Sequence, residues 1–210
     1  MARLRWSLTG AILATAPLAF AASIRQSFPF DARISGFPTT LFTSERTETT
    51  VLNVNGFDPA LGRLDRVVVE ISLRSYIRVG FENSFIVARQ GSWDHFATAS
   101  LGRNVPGGSF DLLGQTSYRT NFVTPVVPAW DGVTNYLGPS SLRVENIGSN
   151  KTTLVHAPGS FQFNAIVGAG PKECFLALAQ QTDGTASNSI NSILSNRLRG
   201  TVVVTYLYTP

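Results

Sequence analysis

The stretch that decides the fold is Phe57–Arg74, which reads FDPALGRLDRVVVEISLR. Its second half places apolar residues at alternate positions from Val67 to Leu73, and the polar residues of the other set include Arg66, Glu70, Ser72 and Arg74. A period of two puts one set of side chains on a buried face and the other in water. This half therefore predicts a half-buried β-strand.

The first half of the stretch predicts the turn that leads into this strand. Pro59 suits the second position of a turn, and Asp58 can accept hydrogen bonds from the turn backbone. We expect Gly62 to take a positive φ at the end of the turn and Phe57 to anchor the core. A calcium site at Asp58 and Asp65 is the alternative. Calcium takes six or more oxygen ligands, and without an acidic cluster here we predict no metal site.

The chain beyond residue 21 continues as short strands separated by Gly and Pro, with no long amphipathic helix. About ten strands predict an all-β fold, an antiparallel β-sandwich whose jelly-roll or immunoglobulin-like topology stays open. Ser187–Gly200 departs from the pattern, because apolar residues recur there near helical spacing among many Ser and Asn, and a short helix and a loop are both open. The predicted strands are Glu48–Val54, Leu64–Arg74, Asn83–Arg89, Trp93–Leu101, Ser109–Leu113, Ser117–Thr124, Ser141–Glu145, Thr152–Val155, Ser160–Val167, Glu173–Ala179 and Gly200–Tyr208.

Residues 1–21 have the three parts of a secretory signal peptide. Arg3 and Arg5 precede an uncharged apolar stretch, and Ala19 and Ala21 supply the small residues that a signal peptidase reads. The apolar stretch is shorter than the roughly 20 residues that a membrane anchor needs. We expect cleavage after Ala21, a single β-sandwich domain over 22–210, and an extracellular or periplasmic location without a membrane anchor.

Charge and cysteine content limit the class of protein further. The net charge of +4 falls to about +2 when Arg3 and Arg5 leave with the signal, and no run of basic residues remains. The sequence therefore predicts no nucleic-acid partner. Cys174 is the single cysteine, so no disulfide forms within the chain. Its apolar surroundings predict burial, and a reactive thiol or an intermolecular disulfide is the alternative.

Three motifs resemble those of one bacterial family. FDPALGRLDRVVVEIS from Phe57, FEN at Phe81–Asn83 and GTVVVTYLYT at Gly200–Thr209 are similar to the choice-of-anchor E domain. The resemblance implies an exported, β-rich surface domain. Only Thr209 and Pro210 follow Tyr208, so we expect this copy to lack the family's C-terminal sorting tail. The resemblance implies structural roles for Phe57, Asp58, Pro59, Gly62, Asn83 and Tyr206.

The sequence nominates no catalytic residue and no cofactor. His95 and His156 are far apart, no Gly-x-Ser-x-Gly motif occurs, and GAGPKE at Gly168–Glu173 indicates a turn. In WDHF at residues 93–96, Asp94 could orient His95 as in a catalytic triad. Without a nucleophile motif, we favour the alternative that both point outward while the flanking aromatic residues pack.

Trp130 and Trp93 are the candidate ligand-binding residues. Trp130 lies in the Pro-rich stretch Phe122–Gly132 and could stack on a sugar or on a partner chain, and the alternative is that it caps the core. The sequence favours an exported, non-enzymatic domain that binds a surface polysaccharide or another surface protein, or that self-associates. The alternative is a secreted polysaccharide-acting enzyme, a glycoside hydrolase or lyase, with a carboxylate pair. Donation of a strand from Ser23–Leu41 to another copy is a third hypothesis.

Overall fold

The computed structural model describes residues 22–33, 43–104, 110–133, 135–184 and 189–210 of the 210-residue chain. The predicted signal peptide and cleavage site lie outside these residues. The described chain is almost entirely β-strand, and none of its helices is long and apolar enough to cross a membrane. The elements are β1 (Ala22–Ala32), β2 (Thr43–Asn55), β3 (Arg63–Asn83), β4 (Ser92–Asn104), β5 (Phe110–Val123), β6 (Ser141–His156), α1 (Phe161–Ala165), β7 (Pro171–Gly184) and β8 (Ser189–Thr209).

The eight strands form two antiparallel sheets of four that pack face to face, which confirms the predicted β-sandwich. Sheet A has the order β1-β8-β3-β6, and sheet B has the order β2-β7-β4-β5. Consecutive strands lie in different sheets in most cases, so the chain crosses repeatedly between the two layers. An eight-stranded double sheet connected in this way is a jelly roll, which resolves the topology that the sequence left open.

β3 is a central strand of sheet A, with β8 on one side and β6 on the other. The alternating residues from Val67 to Leu73 are buried, and the alternation continues through Ile77 and Val79 to Phe81. The strand predicted over Leu64–Arg74 is thus the first half of a longer strand. Its inward side chains meet those of sheet B, so one run of alternating residues supplies much of the core.

The turn before β3 has the geometry that its sequence predicts. Phe57 is buried against the rings of Tyr206 and Tyr208, with centroids 5.9 and 5.2 Å away. The Asp58 carboxylate accepts a hydrogen bond from the Ala60 amide at 2.9 Å, at the start of a single 3₁₀ turn. Gly62 ends that turn with φ 136° and ψ −165°, a region that only glycine visits readily.

The interior of the sandwich consists of two hydrophobic clusters with a polar layer between them. The larger cluster contains Phe57, Leu73 and Ala97, and the smaller one contains Ile77 and Trp93. The layer between them contains the following buried polar residues: Ser75, His95, Thr116, Gln180 and Thr182. Their hydrogen bonds fix the register of the two sheets, because a buried polar group needs a partner.

Several predicted strands have different bounds in the structure. β5 joins two predicted strands into one, and so does β6, so four predicted strands become two. Glycine in mid-strand caused these errors, since it resembles a turn in the sequence. A side chain at position 148 would overlap the ring of Tyr118, and one at position 114 would crowd the core. Both positions are therefore glycine because neighbouring side chains occupy the space that a Cβ would need.

Two predicted strands are wrong. Ser160–Val167 contains the short helix α1, because the Ser160 hydroxyl caps it by accepting a hydrogen bond from the Phe163 amide at 3.2 Å. Asn83–Arg89 is a bend after the end of β3, and of its residues only Arg89 forms an isolated bridge, with Val127.

The segment Ser187–Gly200 is neither a helix nor a loop over its described part, because β8 already begins at Ser189. A register shift explains the misleading spacing. Arg78 pairs with Ser195 and Val79 pairs with Ile193, so one residue of β8 is left without a partner. An extra residue of this kind breaks the period of two, and the apolar residues then recur at intervals close to those of a helix.

β1 is an edge strand of its own sheet. It pairs with β8 from Ala22 to Ala32, and Ile24, Phe28 and Phe30 pack against the larger core cluster. The described part of Ser23–Leu41, which ends at residue 33, therefore pairs as a strand within the chain's own sheet. Cys174 is buried in the same core, as predicted, and burial raises the pKa of its thiol to about 11.

We predict that Gly62→Ala destabilises the fold more than Gly159→Ala does. Both glycines have positive φ, but a Cβ at residue 62 would overlap the carbonyl oxygen of Thr209, whereas residue 159 has open space around it. Urea denaturation should show a loss of roughly 3 kcal/mol at position 62 and about 1 kcal/mol at position 159. Equal losses would contradict the close packing of this turn against the end of β8.

Candidate functional site

The candidate site lies at the end of the sandwich where β3 and β5 finish and β4 and β6 begin. Two connections meet at this end, residues 84–91 and residues 124–140. The Arg89 and Val127 backbones pair with each other, and the Trp130 amide donates to the Phe85 carbonyl at 2.7 Å. The two connections are therefore bonded into one body.

Asn83, the last residue of β3, holds both connections in place. Its fully buried side-chain amide donates to the carbonyls of Val87 at 2.9 Å and Pro128 at 2.7 Å. Its side-chain oxygen accepts from the Phe85 amide at 3.0 Å, and its own backbone amide donates to the Ser140 carbonyl at 2.9 Å. A buried side chain with this many partners fixes the loops around it.

Glu82, the residue before it, holds the far part of residues 124–140. It is fully buried, and its carboxylate accepts hydrogen bonds from the Ser140 hydroxyl at 2.6 Å and the Tyr136 amide at 3.0 Å. Tyr136 has φ 54°, which is uncommon for a residue other than glycine. The carboxylate thus stabilises a backbone conformation that the local sequence does not favour.

These fixed loops present large apolar side chains to solvent. Ile86 is 90% exposed, Leu137 is 73% exposed and Val126 is 65% exposed. Scattered exposed apolar residues are common on protein surfaces, and here several of them lie on one pair of bonded loops. We call this group the apolar end surface, and its residues are Ile86, Val87, Val123, Val126, Trp130, Val133 and Leu137.

The structure separates the two tryptophans that the sequence singled out. Trp130 belongs to the apolar end surface and is 45% exposed, so the alternative that it caps the core does not describe it. Trp93 is 1% exposed and lies between the rings of Phe81 and Phe122, with centroids 5.6 and 5.2 Å away. A ring enclosed in this way offers no face to a ligand, so Trp93 is a core residue.

His95 and Asp94 lie on opposite faces of β4, because successive side chains of a strand alternate. His95 points into the polar layer and not outward, with Nε2 2.9 Å from Ser75 Oγ and Nδ1 3.1 Å from Thr182 Oγ1. Asp94 points outward and forms an ion pair with Arg119, which holds the pKa of the Asp94 carboxyl below its usual range. Asp94 therefore does not orient His95, and no triad forms.

The Ser75–His95 pair is closed to substrates, since both residues are buried. Burial lowers the pKa of His95 to about 4, so the ring is neutral at neutral pH. On the outer face of sheet B, Asp94 lies directly across from Asp183. A glycoside hydrolase needs one carboxylic acid of raised pKa. Arg119 lowers the pKa of the Asp94 carboxyl, so Asp94 does not suit that role.

Other polar candidates have structural partners. Asp58 caps its turn, and Asp65 bonds Arg63 and Thr209. Across the residues that the structure describes, no group of three or more His, Cys, Asp or Glu residues is placed to hold a metal ion. In GAGPKE, Gly168 and Gly170 both have positive φ, and Lys172 already lies in β7, which begins at Pro171.

Sequence reasoning missed Glu82 as an organiser of the site and missed most of the apolar end surface. FEN drew notice at Phe81–Asn83 only as part of a resemblance. The informative signal was a Glu-Asn pair directly after a long apolar strand, since polar residues at a strand end often bond the loop that follows. Ile86 and Val87 were assigned to a strand, which hid their exposure.

Comparisons with known proteins leave the fold as the main guide to this chain. No family model matches it, and no curated protein does. The infectious bursal disease virus VP2 subviral particle is 12% identical at a TM-score of 0.21, covering 90% of this chain and 37% of that one. Desmodium yellow mottle tymovirus is 10% identical at 0.20, covering 99% and 97%. A Bacteroides thetaiotaomicron lipoprotein is 7% identical at 0.16, covering 89% and 95%.

The chain thus spans little more than a third of the VP2 chain that it resembles. TM-scores this low support no argument about function, and the jelly-roll assignment depends on the strand order alone.

We predict that acid destabilises the protein through His95. The unfolded ring binds a proton below a pKa of about 6.5, but the folded ring binds it only below about 4. The unfolded state therefore holds more protons between these values, and stability falls as the pH falls through this window, by about 3 kcal/mol in total. Urea denaturation from pH 7 to 4 measures the loss.

His95→Gln is the matched variant, because glutamine can bond Ser75 and Thr182 without titrating. Its stability should vary much less between pH 6.5 and 4 than that of the wild type. A wild-type stability that is flat over this window would contradict the burial of a neutral His95.

Proposed function

We propose that the chain is an exported, non-catalytic β-sandwich of the bacterial cell surface or extracellular matrix. It acts by binding another surface component, or by self-association, through the apolar end surface. The observation that carries this proposal is the exposure of Ile86, Val126 and Leu137 on loops that are bonded to buried Glu82 and Asn83. Fixed apolar side chains lose little conformational entropy on binding, so they suit a contact surface.

The makeup of this surface favours a protein partner. Protein interfaces combine aliphatic and aromatic side chains at the centre with a polar rim. Trp130 is on the same connection as Val126 and Leu137, and on the other connection the Arg89 guanidinium packs 3.6 Å above the ring of Phe85. A polysaccharide-acting enzyme would instead need accessible carboxylates of suitable pKa, and the polar candidates in the described chain are occupied by structural partners.

The export part of the proposal rests on the predicted signal peptide, and one further feature supports the family part. The residues that resemble the choice-of-anchor E domain have structural roles: Phe57 and Tyr206 pack together, Gly62 ends the turn and Asn83 organises the loops.

We predict that Ile86→Ser, Val126→Ser and Leu137→Ser together weaken association by roughly a hundredfold, because each removes an apolar side chain from the contact. Sedimentation equilibrium of the chain from Ala22 measures self-association. Binding to a cell-envelope preparation, with unlabelled protein as competitor, measures association with another component.

The matched control replaces three apolar residues that are exposed on the sheet faces, Val51→Ser, Ile147→Ser and Val155→Ser. This control should associate as the wild type does. The proposal fails if the loop variant and the wild type give the same result in both assays.

A further inference from the structure

The outer faces of the two sheets differ in charge. Among the described side chains on the outer face of sheet B, one is basic and three are acidic: Arg119, Asp94, Glu173 and Asp183. Among the described side chains of sheet A, nine on the outer face are basic: Arg25, Arg63, Arg66, Arg74, Arg78, Arg143, Lys151, Arg197 and Arg199. Its acidic residues that reach solvent are Asp31, Asp65, Glu70 and Glu145, and Glu82 is buried beneath residues 136–140. The modest net charge of the chain hides this separation.

The ion pairs of sheet A leave part of its positive charge without a partner. Asp31 is shared by Arg197 and Arg199, which lower the pKa of its carboxyl. Within the described residues, Arg74 forms no ion pair. Arg74 and Arg199 lie directly opposite each other on β3 and β8. Like charges in that position destabilise a sheet, and among the described residues only Arg199 of the two has an acidic partner, Asp31.

A shallow groove lies over this point of the sheet. It encloses about 610 Å³, and its cationic lining residues are Arg74, Lys151 and Arg199. Ser149 lies across from Arg74 on β6 and adds a hydroxyl group to the lining. The groove is open to solvent, which suits a polymer that lies across it better than a small molecule that must be enclosed.

We propose that this groove binds an acidic polysaccharide, a polymer of sugars that bear carboxylate or sulfate groups. The guanidinium groups of Arg74 and Arg199 can each bond a carboxylate or sulfate through two N–H donors, and Lys151, which forms an ion pair with Glu70, adds a third cation. Ser149 can bond a sugar hydroxyl. The site is separate from the apolar end surface, so it does not depend on the function proposed above.

The cationic side chains of the groove favour an anionic polymer. The residues that line the groove favour a polysaccharide over a nucleic acid. No aromatic residue lines the groove. Sites for single-stranded nucleic acid stack bases on aromatic rings, and a flat sheet face has no element that could enter a groove of duplex DNA. Sugar chains with regularly spaced acidic groups need only donors at intervals along an open surface.

The test measures binding of the chain from Ala22 to polygalacturonate, which has one carboxylate on each sugar, with neutral dextran and a short DNA duplex as comparisons. We expect polygalacturonate to bind and the binding to weaken as salt is added, because salt screens exposed charges. Arg74→Gln, Lys151→Gln and Arg199→Gln together should weaken it about tenfold or more. Arg119→Gln removes one cation from the other sheet and should leave the affinity unchanged.

Urea denaturation of the triple variant shows whether it is folded, and these exposed side chains should change stability little. Three results would overturn the proposal. These are no polygalacturonate binding at low salt, a folded triple variant that binds as the wild type does, and tighter binding of duplex DNA than of polygalacturonate. Loss of association through the apolar end surface would not change any of these results. The polysaccharide proposal and the proposed function can therefore be contradicted independently of each other.

Discussion

The structure depends on the alternation of β3, which runs between β8 and β6 with one face toward sheet B. A strand paired on both edges cannot shift by one residue without moving its whole apolar set into water. The inward residues from Val67 to Phe81 therefore fix the register of sheet A. The polar layer adds a second constraint, because Ser75 on β3 bonds His95 on β4 and so sets the height of one sheet against the other.

A short motif lies at each end of β3, and the two motifs have different structural roles. Before the strand, Phe57 fills the core and Gly62 provides a turn against the end of β8. At the end of the strand, Glu82 and Asn83 bond the loops that cover them. The first motif positions the strand, and the second creates a fixed surface from residues that would otherwise be mobile loop. Between these ends, the outer face of sheet A carries most of the positive charge of the two sheets.

The class of fold could be predicted from the sequence, because alternation is a local property that β3 and β8 display openly. The predicted strand bounds were wrong where tertiary contacts outweighed local sequence signals. Gly148 packs against the Tyr118 ring within a strand, and a bulge in β8 gives its apolar residues a spacing close to that of a helix. The candidate site was less predictable. Residue types alone do not show where the chain folds back on itself. That folding determines the burial of Trp93, the exposure of Ile86 and the role of Glu82. The charge separation between the sheets likewise requires the register.

The central claim is that the apolar end surface is held in a fixed shape by two buried side chains, and amide hydrogen exchange tests it most directly. The account predicts slow exchange at the amides of Phe85, Val127, Trp130 and Tyr136, which donate to Asn83, Arg89, Phe85 and Glu82. Their protection should approach that of the strands and should be lost at Phe85 in Asn83→Ala while the β3 amides stay protected. Exchange at these four amides as fast as in an unfolded chain would contradict a preformed binding surface.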